Sequence, residues 1–217
     1  MQPLQHATIS GFNEFKNDQA KEDGAAYMTL TLFDTTFETI AHAVPIADVP
    51  DLDDTTYNPH GMTALYDAIA HTMRITDDFV SKKHPDQVLF VIMTDGEENS
   101  SREYRRDQIF DMIKDRQDRA GYEFIYLGAN QDSYAAGRGM GVRDGRTLDY
   151  AATPSAARDT MLRASNQVKA HRRIGNPQTQ EFFSPEMDAL GLLSAEEWAA
   201  AGKEKRETLR KAVEGKR

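Results

Sequence analysis

The chain has 217 residues, 39% hydrophobic and 28% charged, ordinary proportions for a soluble globular protein of one good-sized domain. A formal charge of −9 disfavours nucleic acid as a partner, and no run approaches the roughly 20 apolar residues that span a bilayer. The absence of cysteine excludes disulfides and thiolate metal sites and fits a reducing, cytoplasmic setting.

Met1 to Ser10 has neither a basic start nor an apolar run, so no secretion signal is expected there. Ile9, Phe12 and Phe15 recur at helical spacing and predict a helix over about 8–20, with Thr8 able to cap it. Residues 27–33 alternate and are rich in strand formers; with 37–44 across a short turn they predict a β-hairpin. A loop rich in acids and proline follows from Pro45 to Pro59. Leu65, Ala68, Ile69, Thr72 and Met73 form one stripe of a helix predicted from Met62 to about Lys82. The run from Val88 to Met93 is wholly apolar, as a strand covered on both faces would be. Ser100 and Glu103 have capping-box spacing ahead of a helix carrying Ile109, Met112 and Ile113. A second buried strand is expected from Tyr122 to Leu127, a short helix near 133–139, and a weak strand over 146–151. Thr153 and Pro154 give a cap and an N1 proline for a helix to about Arg172.

Residues 174–193 mix Gly, Pro, Gln and aromatics without period and read as a linker. Ser194 and Glu197 form another capping box, for a helix to about Val213, with Trp198 as a packing anchor. The division is thus an α/β domain over 1–173 and a linker plus C-terminal helix over 174–217. From Lys203 to Arg217 seven basic residues stand against three Glu, most simply a solvated helix end. Strands alternating with helices predict an α/β fold, a doubly wound, mostly parallel sheet with helices on both faces and one antiparallel edge hairpin.

In such sheets ligands bind beyond the carboxyl ends of the strands. Thr94-Asp95-Gly96-Glu97-Glu98-Asn99 follows the apolar strand, and Gly61-Met62-Thr63 opens the long helix. Taken singly, Thr63 is most simply a cap and Asp95 a turn acid. Glu97 and Glu98 read as a solvated loop, and His60 as a lone loop histidine. Asn130 and Asp132 lie at a strand end, where a rim or a turn role is equally open. Gly137, Gly139 and Gly141 suggest a phosphate loop, but they follow a helix rather than the first strand, which argues against nucleotide binding.

Taken together, Asn58 to Ile69 and Val91 to Asn99 resemble two of the three segments of the metal-ion-dependent adhesion site of von Willebrand factor A domains. Thr8 to Phe15 looks like that family's first helix in its bacterial and phage-encoded branch. Phe33-Asp34 with Phe37-Glu38 looks like its second and third strands, and Phe124 to Asp132 like the strand and loop after the site; the likeness covers roughly residues 5–172. The resemblance implies that Thr63 and Asp95 help hold a divalent ion, usually magnesium, with His60, Gly61, Gly96, Glu97 and Asn130 around it facing a partner. Magnesium takes about six oxygens and keeps several waters, so few side chains suffice.

The family's third segment, Asp-x-Ser-x-Ser at the end of the first strand, has no counterpart here, and the resemblance puts Met1 just after the place it would occupy. The first central strand is therefore expected to be missing. The strands at 27–33 and 88–93 would then pair directly, leave a gap or recruit a strand from another chain. Only Thr63 and Asp95 of five ligands would remain, so magnesium binding is expected to be weak or absent. The function implied is a non-catalytic protein-binding module that meets an acidic side chain of its partner. One alternative is a structural or assembly component, phage-encoded in one version, completed by a partner's strand or by self-association at the open edge. A magnesium-dependent hydrolase is a weaker third, since no nucleophile–base pair is apparent.

Overall fold

The computed structural model describes residues 4–129, 132–175 and 182–214. It is an α/β structure. Helix α1 (Gln5–Ala20) leads into an antiparallel pair, β1 (Tyr27–Phe33) and β2 (Phe37–Pro45). After a short 3-10 turn at Ile46–Asp48 and a loop comes α2 (Leu65–Lys83). The strands β3 (Leu89–Thr94), β4 (Glu123–Ala129) and β5 (Thr147–Tyr150) then alternate with α3 (Arg106–Arg119) and α4 (Ser133–Gly139). They form a parallel sheet in the order β3-β4-β5. The long helix α5 (Pro154–Ile174) follows, then α6 (Pro185–Gly191), α7 (Ala195–Ala200) and α8 (Lys203–Glu214).

Successive side chains of a strand point to opposite faces, and β4 shows it. Phe124 and Tyr126 join a cluster with Leu65, Ile69 and Met73 of α2 and Ile109 and Ile113 of α3. Ile125 and Leu127 join another, with Leu4 ahead of α1 and Ala157, Ala164 and Val168 of α5. All seven residues of β4 are buried. On β3 the alternation is incomplete: Phe90, Ile92 and Thr94 are buried, whereas Leu89, Val91 and Met93 are only half-buried. The apolar run there had predicted full cover on both faces. It fails because β3 has a neighbour on one edge alone among the described strands.

The gap between the strands at 27–33 and 88–93 is the arrangement observed. Among the described residues no backbone hydrogen bond joins β1 to β3, and the two sheets are separate.

Several local expectations need correction. Thr8 does not cap α1; the helix starts a turn earlier, after Leu4, which is anchored in the core, and Thr8 is buried within it. Ser100 and Glu103 do not form a capping box. Two other carboxylates capture that stretch: Glu98 accepts from the Ser100 and Ser101 N–H groups, and Asp67 from those of Arg102, Glu103 and Tyr104. Helix α3 begins later, with the Gln108 side chain accepting from Arg105 N–H. The presumed linker contains α6, capped by the Ser184 hydroxyl, a helix too short to show a period. Residues 176–181 of it lie outside the described residues. Ser194 and Glu197 do form their capping box, but the helix breaks before Gly202 and resumes as α8. Trp198 packs with Ile174, Met187, Leu190 and Val213, and the guanidinium groups of Arg173 and Arg206 lie over its ring.

Candidate functional site

Three loops meet at the carboxyl ends of β1 and β3. The end of β1 is tied to the start of α2 by Ala64 N–H donating to the Asp34 carbonyl at 2.6 Å, and by Met62 N–H donating to the Thr35 hydroxyl at 3.0 Å. Gly61 makes this turn with φ +83°, and a Cβ there would lie 2.4 Å from Thr35 Oγ1, so the position requires glycine. The same loop is tied to the end of β3. Thr63 N–H donates to Asn99 Oδ1 at 2.8 Å, and its carbonyl accepts from the N–H groups of Asn99 and Ser100 at 3.1 and 3.2 Å.

Thr63 is therefore not a helix cap. The residue at the cap position of α2 is Ala64, which makes no side-chain bond. Backbone donors of the first turn are served instead from the facing loop: Glu98 Oε2 and the Ser101 hydroxyl both accept from Tyr66 N–H, at 3.0 and 3.1 Å. That leaves the Thr63 side chain on the rim, where its Oγ1 lies 2.8 Å from where a Cβ on Gly96 would sit. Thr63 and Asp95 line the same cavity wall, together with Asp34, His60 and Gly61. The Asp95 charge is felt by two phenols: burial first, and then this carboxylate, hold Tyr57 and Tyr150 above the ordinary tyrosine range.

The other expected rim residues divide. His60 is exposed; its Nδ1 lies 2.7 Å from the Asn58 carbonyl and 3.5 Å from Asp34 Oδ2. Glu97 is exposed and lines a separate, smaller cleft with Tyr66, Arg106 and Asp132. Asn130 lies outside the described residues. Asp132 is the cap of α4, accepting from Ala135 N–H, which makes it a turn residue. Gly137 packs against Thr147, and Gly141, at φ +86°, against the Phe110 carbonyl, so these glycines permit close packing. Glu98, expected to be solvated, is half-buried and accepts three backbone N–H groups and the Ser101 hydroxyl.

Sequence reading missed Asn99, Asp67 and Asp34 as organisers of the rim. Asp67, on the first turn of α2, is buried by three backbone donors from 102–104. An acid among the apolar residues of a helix's first turn was the available signal. Asn99 and Asp34 act through the partner loop, and their spacing in sequence shows nothing of it.

Chemically, the rim offers a hydroxyl at Thr63 and carboxylates at Asp95 and Asp34. Asp34 is partly committed, since it accepts from Thr36 N–H at 2.9 Å. Among the described residues no three His, Asp or Glu side chains gather as a metal site. A hydroxyl and a carboxylate fit magnesium only as part of a shell, with waters or another molecule's oxygens supplying the rest. No protein-family model matches the chain, and no match is found among curated proteins. Among the described residues no helix is long and apolar enough to cross a membrane.

Proposed function

We propose that this chain is a protein-binding module of von Willebrand factor A type, without catalysis of its own. Its binding face is the rim that carries Thr63 and Asp95. The observation that carries this reading is the two-sided tether of Thr63, to the end of β1 through Ala64 and to the end of β3 through Asn99. It leaves a hydroxyl from one loop beside a carboxylate loop from another, at the carboxyl edge where α/β sheets bind their ligands. The parallel order β3-β4-β5, with helices on both faces of β4, accords with a doubly wound sheet.

The partner group is an acidic side chain reached through a cation. With Asp34 and Asp95 on the rim and a chain charge of −9, a bare carboxylate would be repelled; a magnesium ion between the two turns repulsion into attraction. Thr63 and Asp95 supply two of the ion's oxygens, and waters and the partner's carboxylate the others. So few protein ligands make for weak binding by the chain alone. Calorimetric titration of magnesium, with and without acetate as the simplest carboxylate, tests this. We expect an affinity no better than millimolar, raised by acetate and abolished in the Thr63→Ala, Asp95→Ala double variant. Micromolar binding, or binding that survives both substitutions, would place the cation elsewhere.

A further inference from the structure

A cavity of about 1130 Å³ lies between the two sheets. Its side walls are the full lengths of β1 and β3, on the edges that carry no other strand. Helices close it above and below: α2 contributes Ile69 and Thr72 on one face, and α1 and α5 contribute Phe12 and Met161 on the other. Helix α2 spans both sheets. Its Thr72 hydroxyl donates to Thr31 on β1 at 2.8 Å, while its Ile69 and Met73 pack with Phe90 and Ile92 of β3. The two walls run the same way, since Asp34, just past β1, and Gly96, just past β3, both lie against the Thr63 loop.

The dimensions are those of one strand. A strand inside a covered sheet occupies roughly 4.8 Å between neighbours, 10 Å between layers and 3.3 Å along its length, about 160 Å³ per residue. The cavity then accommodates about seven residues, and its walls are strands of seven and six. The chemistry agrees. Each free edge presents amides and carbonyls that need partners, so a purely hydrocarbon ligand would leave two rows of polar groups unserved. Apolar side chains along the space, among them Leu30, Leu89 and Val91, are only half-buried, and they alternate on β1 with Thr29 and Thr31.

We infer that this slot receives one extended, uncharged, β-branched segment of a partner polypeptide, about seven residues long, which runs parallel to β3 and joins the two sheets into one. Its side chains meet mainly apolar layers on both faces, Ile69 on one and Phe12 and Met161 on the other, which disfavours an alternating polar strand. A second copy of this chain is a poor donor, because each described strand is already paired in its own fold. Residues 176–181, Asn-Pro-Gln-Thr-Gln-Glu, are polar and carry a proline, unsuited to such a place. The inference does not depend on the cation at the rim.

The test uses a fluorescent peptide, Val-Ile-Val-Leu-Val-Ile-Val with two lysines at each end, and a second peptide of the same sequence N-methylated at alternate residues. Both have the same apolar surface, but the second cannot donate along one edge. We expect saturable binding of the first, new hydrogen-exchange protection in β1 and β3, and binding of the second roughly a hundredfold weaker, as the loss of about three main-chain hydrogen bonds implies. Binding of the first peptide should be the same in magnesium and in chelator, so failure of the rim reading is seen separately. Equal binding of both peptides would make the cavity a pocket for apolar matter in general. No binding, with β1 and β3 already protected, would mean that the slot closes on itself. Either result overturns the inference.

Discussion

Asn99 Oδ1 accepts the Thr63 N–H at 2.8 Å, and Asn99 N–H donates back to the Thr63 carbonyl at 3.1 Å. This reciprocal pair joins the loop before α2 to the loop after β3, and it sets where the Thr63 hydroxyl stands relative to Gly96 and Asp95. Replacing Asn99 by Ala removes the side-chain half. The bond is exposed, so the expected loss is modest, about 1 kcal/mol, or a melting-temperature fall of roughly 2–4 °C for a chain this size. Thermal unfolding followed by circular dichroism measures it. An unchanged melting temperature would show that the loops hold their places without this bond.

Gly96→Ala separates position from stability. The new methyl group would meet Thr63 Oγ1 at 2.8 Å and nothing else close beyond the Thr63 Cβ. We expect a stability change under about 1 kcal/mol, yet loss of the acetate-enhanced magnesium binding. If calorimetry finds that binding intact, the Thr63 hydroxyl does not contribute to it.

Asp67 is buried and accepts the N–H groups of Arg102, Glu103 and Tyr104. Asp67→Asn puts an amide donor against one of those donors. Charge-assisted bonds are about twice as strong as neutral ones, so the expected cost is about 2–3 kcal/mol, readable as a shifted urea midpoint with an unchanged slope. A shift of less than half that would mean that water replaces the carboxylate readily.

The fold declares itself in sequence wherever one element decides its own shape. The hairpin of β1 and β2, the strand β4 and the proline-capped start of α5 follow from alternation, apolar runs and a cap, all local signals. Of the site, Thr63 and Asp95 were visible as residues at the ends of elements. What held them there was not. Asn99, Glu98 and Asp67 act on backbone groups more than thirty positions away, and a side chain that serves a distant N–H leaves no periodic trace. For the same reason Ser100 looked like a cap. A hydroxyl before a helix is a cap only if no better acceptor reaches the same donors first.

His171 is buried near the end of α5, against the Phe182 ring, and among the described residues its Nδ1 has no hydrogen-bond partner. Burial, with Arg146 adding to it and Glu123 opposing, lowers its pKa from 6.5 to about 4. Folding therefore favours the neutral ring, and the unfolded chain takes up a proton first as pH falls. The stabilisation is complete above pH 6.5 and declines between 6.5 and about 4, by as much as about 3 kcal/mol. In urea titrations across this range we expect that decline to be absent from His171→Gln. An equal decline in that variant would assign the acid sensitivity to the carboxylates.

The central claim is that Thr63 and Asp95 share one cation at the carboxyl rim of the sheets. Paramagnetic broadening by manganese, a spectroscopic substitute for magnesium, tests it most directly. At millimolar manganese the amide signals of Gly61 to Thr63 and of Asp95 to Glu97 should broaden first and together, and excess magnesium should restore them. Broadening that begins at other acidic clusters, or that leaves the Asp95 loop sharp while the Thr63 loop fades, would contradict the account.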